Sequence, residues 1–510
     1  MRTKRTARRL LSVLLCLVLA LSLLPTAVFA AETTATGSGI ETDPYLVSNF
    51  KQLQEYLRSS EREIYIRITG MDGTKENGQI TRYLTYGNDF SSYGAALIVL
   101  GKKHLEIPKD INLRFIGKQL ESFIYVNDQA ELSITGDGSI SVEFTNLGSN
   151  CIIESYGKLT IDGNILFDAR QNLLKPTYAG AIDVGRNGVT TINGGRFYGY
   201  SSMPVSSSSS GGITSAIWVD DNASLTINGG EFRTFGETDG NVPSSWHSSH
   251  GYVIRKNWSF CINWAQVKQV KLLGGTFGDI CTDENTSIAK MLDEDHQLIK
   301  LETKGSEKSY RSLSDAELAE TWVIKSECMV IPKVGLTNPT LTANDTPISA
   351  VSSGAATGTI TAGTKTFTVS VDSPAWLTGL EDQDYVNYTT KLLVMKGSIP
   401  LSSGDYTIGE ITKTEQTDGT SKVKFDVTLK NAPAVGEVYR IAAAVQPVSG
   451  ADDSNNIGNP AYGSWTLTTE LSKTLTGTVH YTSSAVFGKP ISTNVTGLPK
   501  NFTGALTRQW

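Results

Sequence analysis

Residues 217–232 read IWVDDNASLTINGGEF, and this stretch decides the fold of the first half of the chain. It contains two short segments of alternating apolar residues, 217–219 and 225–227, followed by a pair of glycines. Alternation with a period of two is typical of a β-strand that buries one face. Related copies recur between residues 123 and 277, and the pattern places the second strand eight residues after the first in every copy. The first strands begin at Ile124, Cys151, Ile182, Ile217 and Ile262.

The recurrence of this two-strand unit predicts a solenoid. One copy cannot bury its apolar face alone, whereas stacked copies bury a continuous core. A third strand follows the glycines, and the residues that lengthen the repeat come after it, at 168–181, 198–216 and 233–261. These insertions therefore leave one edge of the solenoid, and loops gathered at one edge commonly bind ligands. We also expect the glycine pairs beginning at 194, 229 and 274 to mark sharp bends that need a positive φ.

The first 30 residues have the composition of a secretory signal peptide. Five basic residues precede an apolar run from Leu10 to Leu24. The small residue Ala30 then predicts cleavage after position 30. The whole sequence carries 45 basic and 51 acidic side chains, a net charge of −6. Removing the five basic residues of the signal leaves 40 basic against 51 acidic, a net charge of −11. This excess of acid argues against nucleic acid as a partner. We expect no transmembrane segment after residue 30.

Composition divides the rest of the 510-residue chain into three predicted parts. Residues 31–330 form the solenoid, with an N-terminal cap at 37–57 and a C-terminal cap at 282–330. From 331 to 470 the chain is rich in Thr, Ser, Gly and Val and alternates like the strands of an antiparallel β-sandwich. Residues 471–510 have the pattern of a second sandwich that is cut short. We therefore expect envelope attachment through a C-terminal region missing from this sequence.

Four cysteines follow the signal peptide and form no metal motif. Their spacing matches no zinc-ligand pattern, and three disulfide pairings are possible among them. No nucleophile elbow, phosphate-binding loop or cofactor fingerprint is present either. We therefore predict neither a metal nor a cofactor. The four are Cys151, Cys261, Cys281 and Cys328.

The repeat resembles that of a known superfamily. Its form, Ile-x-Val, five residues, then Leu-Thr-Ile-Asn-Gly-Gly-x-Phe, is similar to the right-handed parallel β-helix repeat of pectate-lyase-like proteins, and most of all to adhesin-like proteins of Gram-positive bacterial surfaces. Residues 475–510 resemble the start of a bacterial immunoglobulin-like repeat. The resemblance implies an all-β protein, with a right-handed parallel β-helix followed by immunoglobulin-like β-sandwich domains, that is exported and displayed. It leaves function open, because this fold hosts lyases, hydrolases, esterases and proteins without activity.

One constellation is compatible with an enzyme. Asp220-Asp221 and, further on, Ser249-His250-Gly251 loosely resemble motifs of the polygalacturonase family, whose members use one carboxyl group as acid and another as base around a water. The resemblance implies Asp183, Asp220, Asp221 and His250 as catalytic residues. The family's Asn-Thr-Asp is missing, and Ser249 stands where its pattern has glycine.

The same aspartates have a simpler interpretation as turn residues. Asp220 and Asp221 lie between two strands, where Asp and Asn are favoured for their local backbone hydrogen bonds. The pattern also predicts which side chains project outward from the first strands, and only one of them is acidic. A calcium site needs several carboxylates, so none is expected there. The predicted outward column consists of Tyr125, Ile152, Asp183, Trp218 and Asn263.

Aromatic residues favour a binding function. Trp218 projects outward if Ile217 and Val219 point inward, and the inserted loops carry further aromatic side chains. Exposed aromatic faces stack on sugar rings and anchor protein interfaces. The predicted ligand-binding residues are Trp218, Tyr198, Tyr200, Trp246, Tyr252 and Trp258.

The sequence therefore predicts a secreted cell-surface protein. Its expected function is that of a non-catalytic adhesin or carbohydrate-binding module, with a polysaccharide or a host or cell-surface protein as partner. The alternative is a polysaccharide-degrading enzyme, either a polygalacturonase-like glycoside hydrolase or a pectate-lyase-like lyase. An enzyme needs carboxylates from adjacent repeats that converge in a groove, whereas a binding module needs only exposed aromatic rings on a shallow face.

Overall fold

A computed structural model describes the chain as an all-β protein with long parallel sheets and separate antiparallel sheets. The chain divides into two compact units, residues 1–225 with 230–269 and residues 226–229 with 270–510. The predicted signal peptide and the last 14 residues lie outside the described part. The described residues are 35–60, 63–84, 94–117, 120–144, 149–170, 178–201, 215–220, 222–236, 258–262, 270–282, 287–304, 307–321, 323–333, 335–343, 346–350, 355–381, 386–449, 456–470, 478–481 and 493–496.

In the first unit the strands of successive repeats pair in three parallel ladders, which is the architecture of a parallel β-helix. We call these ladders face 1, face 2 and face 3, in the order in which a repeat visits them; face 2 belongs to an 8-stranded sheet, and faces 1 and 3 belong to one 19-stranded sheet. Face 1 comprises Ala95–Val99, Ser122–Val126, Ser149–Ser155, Tyr178–Val184, Ser215–Val219 and Trp258–Ile262. Face 2 comprises Tyr45–Val47, Glu63–Ile68, Lys102–Ile107, Glu131–Gly136, Lys158–Ile161, Val189–Ile192 and Ser224–Ile227. Face 3 comprises Gln79–Leu84, Asn112–Gly117, Ser139–Phe144, Leu166–Asp168, Arg196–Ser201 and Glu231–Gly236, with Thr74–Glu76 paired antiparallel to the first of them.

Equivalent side chains from successive repeats stack on one another inside the coil. On face 3 the rings of Phe167, Phe197 and Phe232 are fully buried and nearly parallel, with centroids 5.4 Å and 4.9 Å apart. Face 2 contributes a column of buried isoleucines and leucines in the same way. Burial of these columns supplies the main stabilising free energy of the unit. The prediction that stacked copies share one core is thereby confirmed.

The register of two repeats differs from the predicted one. Ile153, not Cys151, pairs with Ile124, so the second repeat reaches Leu159 after six residues instead of eight. Gly157 makes this shorter turn possible, because a Cβ there would lie 2.1 Å from the carbonyl oxygen of Asn127. In the fifth repeat Phe260 pairs with Ile217, again two residues away from the predicted Ile262. The predicted outward column is therefore wrong at Ile152 and Asn263, where the structure places Glu154 and Cys261.

Glycines form the corners between face 2 and face 3. Gly163 has φ of 92°, and Gly195 and Gly230, each the second glycine of its pair, have φ of 104° and 110°. A Cβ on Gly163 would lie 2.4 Å from the carbonyl oxygen of Gly136, the equivalent corner one repeat earlier. The predicted bends with positive φ are thus confirmed, and close stacking of corners adds a second reason for glycine.

The predicted N-terminal cap contains a helix near the start of the unit. Phe50–Arg58 is α-helical, and the side chain of its N-cap residue, Asn49, accepts a hydrogen bond from the amide of Gln52 at 2.9 Å. Phe50, Leu53 and Leu57 are buried, as the helical spacing predicts. The ring of Phe50 packs against Phe115 with centroids 5.7 Å apart, so the helix covers part of the apolar interior.

The second unit combines short strands and helical turns with two larger sheets. The predicted C-terminal cap contains a 3₁₀ helix at Ile288–Met291 and an α-helix at Asp315–Glu320. Three short strands, Val270–Leu272, Thr276–Phe277 and Ile280–Cys281, precede the predicted cap. The strands that follow them are His296–Lys304, Glu307–Ser312, Val323–Ile324 and Cys328–Pro332. One larger sheet contains Thr346–Ser349, Thr337–Ala343, Thr366–Ser373, Ser421–Leu429, Tyr406–Ile408 and Thr412–Glu415, all antiparallel. The other contains Ala356–Thr361, Ala461–Glu470, Val438–Ser449, Val386–Lys396 and Ile399–Pro400, where only the first pair of strands is parallel. A helix at Ala375–Glu381 and the ladder Thr478–Tyr481 with Thr493–Thr496 complete the elements.

The two larger sheets share a buried core, as in a β-sandwich. Phe367 and Phe425 from one sheet and Trp465 from the other belong to a single apolar cluster. Trp465 donates a hydrogen bond from Nε1 to the carbonyl oxygen of Ile348 at 2.8 Å, so its polar atom is satisfied. Tyr310, from the predicted cap, joins the same cluster, and its amide donates to Ser449 Oγ at 2.6 Å.

Two further observations concern the described residues as a whole. Three of the cysteines, Cys151, Cys281 and Cys328, are buried free thiols. Within the same residues, no helix is both long and apolar enough to cross a membrane.

Candidate functional site

A column of aromatic and acidic side chains runs along the outside of face 1. Tyr125, Glu154, Asp183 and Trp218 occupy equivalent positions on four consecutive strands and are each partly exposed. Paired strands lie about 4.8 Å apart, so neighbours in the column are within reach of one another. We call these four residues the face 1 column. It places two carboxyl groups side by side between two aromatic rings.

Tyr156 completes the column on the side of Glu154. Its hydroxyl donates a hydrogen bond to Glu154 Oε1 at 3.0 Å, and its ring lies 5.5 Å from that of Tyr125. The ring fits against the backbone of Gly185, where a Cβ would come within 2.8 Å of it. The sequence pattern does not predict Glu154 and Tyr156 as site residues, because an eight-residue step in this repeat places Ile152 on the outside. The missing turn aspartate and the Tyr156-Gly157 pair were the signals of a shorter turn.

Asp220 completes the column on the side of Trp218. The indole Nε1 of Trp218 donates to Asp220 Oδ1 at 3.0 Å, which fixes the orientation of the ring. The amide of Asp220 donates to the carbonyl of Val184 at 2.9 Å, and the amide of Ala223 donates to the Asp220 carbonyl at 3.2 Å. Asp220 is therefore a turn residue, as its sequence context indicates, and its side chain also orients the exposed tryptophan.

The carboxyl group of Asp183 lies in an unfavourable environment. Its Oδ1 is buried and has no hydrogen-bond partner among the described residues. Burial raises the pKa of Asp183 well above its ordinary value, and the nearby carboxylates of Asp220 and Glu154 raise it further. None of the described basic side chains counteracts this shift.

Glu154 and Tyr156 share this environment. Burial raises the pKa of Glu154, although the hydrogen bond from Tyr156 opposes the shift. Burial also raises the pKa of Tyr156, with the Glu154 charge as the next cause, so this phenol stays protonated and donates. The face 1 column therefore combines a carboxyl group whose pKa is raised, a buried carboxylate oxygen without a hydrogen-bond donor among the described residues, and the faces of aromatic rings.

This arrangement suits an extended polar ligand better than a metal ion. Among the described residues, no three His, Cys, Asp or Glu side chains come together as metal ligands would. Glu154 and Asp183 project from successive strands, and Asp220 follows the end of the next strand. The three acids act on one another's pKa but are therefore spread out and do not surround one point. A ligand with several hydroxyl or amino groups along its length can match such an arrangement, and aromatic rings accept the apolar faces of sugar rings.

Tyr198 and Tyr200 lie elsewhere than predicted. Both belong to the strand Arg196–Ser201 of face 3 and not to an inserted loop. Tyr198 is only 9% exposed and donates from its hydroxyl to Glu231 Oε2 at 3.1 Å. The guanidinium of Arg170 lies 4.4 Å from its ring centroid.

This packing on face 3 explains the buried position of Tyr198. Arg170 is itself held by two hydrogen bonds to Asp168, at 2.8 Å and 3.0 Å. The network keeps the tyrosine in place beneath the arginine. The proposed site does not include Tyr198 or Tyr200.

The remaining predicted site residues cannot be placed in the site. Asp221, Trp246, His250 and Tyr252 lie outside the described residues, as does the side chain of Trp258. Of the predicted catalytic set, the structure brings Asp183 and Asp220 together, and it adds Glu154.

No protein-family model matches this chain, and no curated protein sequence is significantly similar to it.

Proposed function

We propose that the face 1 column binds a polysaccharide and that the protein acts as an exported carbohydrate-binding module or adhesin. The observation that carries this proposal is the aromatic–acid–acid–aromatic order of the column, with the unpartnered Oδ1 of Asp183 at its centre. Sugar rings offer apolar faces to Tyr125 and Trp218 and hydroxyl donors to the acids between them. The predicted signal peptide supports export and display at the cell surface.

Retention of the full chain on immobilised oligosaccharides tests the proposal. We expect Trp218→Ala to weaken binding at least tenfold, since central aromatic anchors contribute about 2 kcal/mol or more. Tyr83→Ala is the matched control, because Tyr83 belongs to the same unit and is 69% exposed but lies on face 3. Equal losses in the two variants, or no retention of the unmodified chain by any glycan, would contradict the proposal.

A second candidate is a glycoside hydrolase that uses the same residues. The observation that favours it is a carboxyl group with a raised pKa, Asp183, beside two other acids, Asp220 and Glu154. Hydrolysis of a glycosidic bond needs one protonated carboxyl group as acid and a second, ionised one as base or nucleophile. In this scheme Asp183 donates its proton to the leaving oxygen, and Asp220 acts on water or on the sugar.

Release of new reducing ends distinguishes the candidates. If the protein is a hydrolase, Asp183→Asn should lower the rate of hydrolysis at least 100-fold and leave substrate binding intact. General acid catalysis contributes about 10²–10⁴-fold to such rates. A binding module retains glycans without producing new reducing ends in any variant.

A further inference from the structure

We infer that the polysaccharide bound by the face 1 column carries free amino groups, so that its ligand class is cationic amino-sugar polymers. This inference rests on the proposed function and narrows it. The charge of the column, the unpartnered acceptor at its centre and the spacing of its acids support this ligand class.

The column presents acids without matching bases. Glu154, Asp183 and Asp220 form no ion pair with any described basic side chain, and Glu121 adds a fourth negative charge that acts on Glu154. A polymer of uronic acids would place its carboxylates against these groups and be repelled. A polymer of amino sugars carries the opposite charge, and its attraction to the carboxylates offsets the repulsion between them.

The buried Oδ1 of Asp183 is a hydrogen-bond acceptor, and none of the described residues donates a hydrogen bond to it. An ammonium group has three N–H donors and no acceptor, and its hydrogen bonds to a carboxylate are about twice as strong as neutral ones. A small divalent cation would need several oxygens around one point, whereas Glu154 and Asp183 project from successive strands and Asp220 lies in the turn after the next one. Amino groups repeated along a polymer fit this spacing of the acids.

Binding of this kind is coupled to protonation. An ammonium beside Asp183 favours its ionised form, and it therefore opposes the rise in pKa that burial and the neighbouring carboxylates cause. The titratable groups that act on Asp183 or feel its charge are Glu154, Tyr156 and the Cys151 thiol from one neighbouring repeat and Asp220 from the other. All of them are acidic, so affinity should rise as pH increases through the raised pKa of Asp183, until the amine of the ligand loses its own proton.

Calorimetric titration of the full chain with three hexasaccharides tests the inference. The probes are β-1,4-linked glucosamine, its fully N-acetylated form, and galacturonate. We expect the amino form to bind at least tenfold more tightly than the N-acetylated form, with galacturonate weakest. In Asp183→Asn this preference should shrink to less than threefold, whereas affinity for the N-acetylated form changes little.

Asp128→Asn provides the matched control. Asp128 is an exposed acid in the equivalent turn of an earlier repeat, so this variant makes the same change in net charge away from the centre of the column. It should keep the full preference, and melting curves should show both variants folded.

Equal affinity for amino and N-acetylated probes, or a preference for galacturonate, would overturn the inference and leave the proposed function standing. If none of the probes and no other glycan binds, both fail together.

Discussion

At the scale of single residues, the surroundings of Asp183 disfavour the charged form of its carboxyl group. Its pKa is raised in the folded state by burial and by two nearby carboxylates. A group of this kind contributes its full stability below its unfolded pKa of about 3.9, and that contribution is lost as pH rises through the folded pKa. Asp183→Asn should therefore raise the melting temperature at pH 7 and have little effect near pH 4. Melting curves across this pH range would contradict the account if the variant were less stable than wild type at pH 7.

The stacked phenylalanines of face 3 give a second prediction for single residues. Phe197 is fully buried between Phe167 and Phe232. Phe197→Ala leaves a cavity in a close-packed column and should cost about 3–5 kcal/mol of unfolding free energy. Phe197→Leu keeps much of the volume and should cost clearly less. Urea denaturation of both variants checks the order, and similar losses in the two would argue against close ring packing.

The sequence predicts the positions of some residues of the face 1 column but not of all of them. Strand alternation correctly places Trp218 and Asp183 on the outside of face 1. It predicts Ile152 in place of Glu154, because Cys151 and Ile153 are apolar and can occupy the inward positions at the assumed eight-residue step. Only the pairing between strands resolves this ambiguity, since a shift of two residues preserves the alternation.

At the scale of elements, the corners between face 2 and face 3 depend on glycine. Gly163→Ala meets two costs, a positive φ and a Cβ placed 2.4 Å from the Gly136 carbonyl oxygen. Gly78→Ala isolates the first cost, because Gly78 also has a positive φ of 77° but no atom within 4 Å of the added Cβ.

We expect Gly78→Ala to cost about 1 kcal/mol and Gly163→Ala clearly more. Comparing the unfolding free energies of the two variants separates strain in φ from stacking of the corners. Equal costs would contradict the close approach of successive corners.

The helix Asp315–Glu320 gives a pH-dependent prediction of opposite sign to that for Asp183. Glu317 closes a capping box with Ser314 and pairs with Arg311, and these contacts lower the pKa of Glu317 to about 2. Its contribution is present above the ordinary value of 4.5 and is lost as pH falls towards 2. Glu317→Gln should therefore lower the melting temperature slightly at pH 7, and the difference should vanish as pH falls through this window.

Glu320→Gln serves as the control for this helix. Glu320 is exposed and lies outside the capping box, so its replacement should leave the melting temperature unchanged at pH 7. A deficit of Glu317→Gln that persists at pH 2 would show that the ionised side chain is not its cause.

Most elements could be predicted from local patterns. Alternating apolar residues in the sequence predict strands at 366–371, 422–427 and 439–445. The structure confirms them within Thr366–Ser373, Ser421–Leu429 and Val438–Ser449. Local patterns did not predict that Tyr310 joins the core of the two larger sheets, because its partner Ser449 is 139 residues away. Such pairings depend on tertiary packing, which alternation and turn signals do not encode.

At the scale of the whole molecule, the excess of acidic side chains should steer cationic polymers towards the protein. The mature chain is predicted to carry a net charge of −11, from 40 basic and 51 acidic residues. Association with a glucosamine polymer should therefore slow as salt increases, since the screening length falls from about 30 Å at 0.01 M to about 10 Å at 0.1 M. Binding of the N-acetylated form should be insensitive to salt. Surface-based kinetics at several salt concentrations measure both, and equal salt dependence would contradict the electrostatic account.

The most direct test of the central claim is a crystal structure of the full chain with a glucosamine hexasaccharide. The account predicts sugar rings along Tyr125, Glu154, Asp183 and Trp218, with an amino nitrogen within hydrogen-bond distance of Asp183 Oδ1. Sugar bound elsewhere on the molecule, with the face 1 column empty, would contradict it.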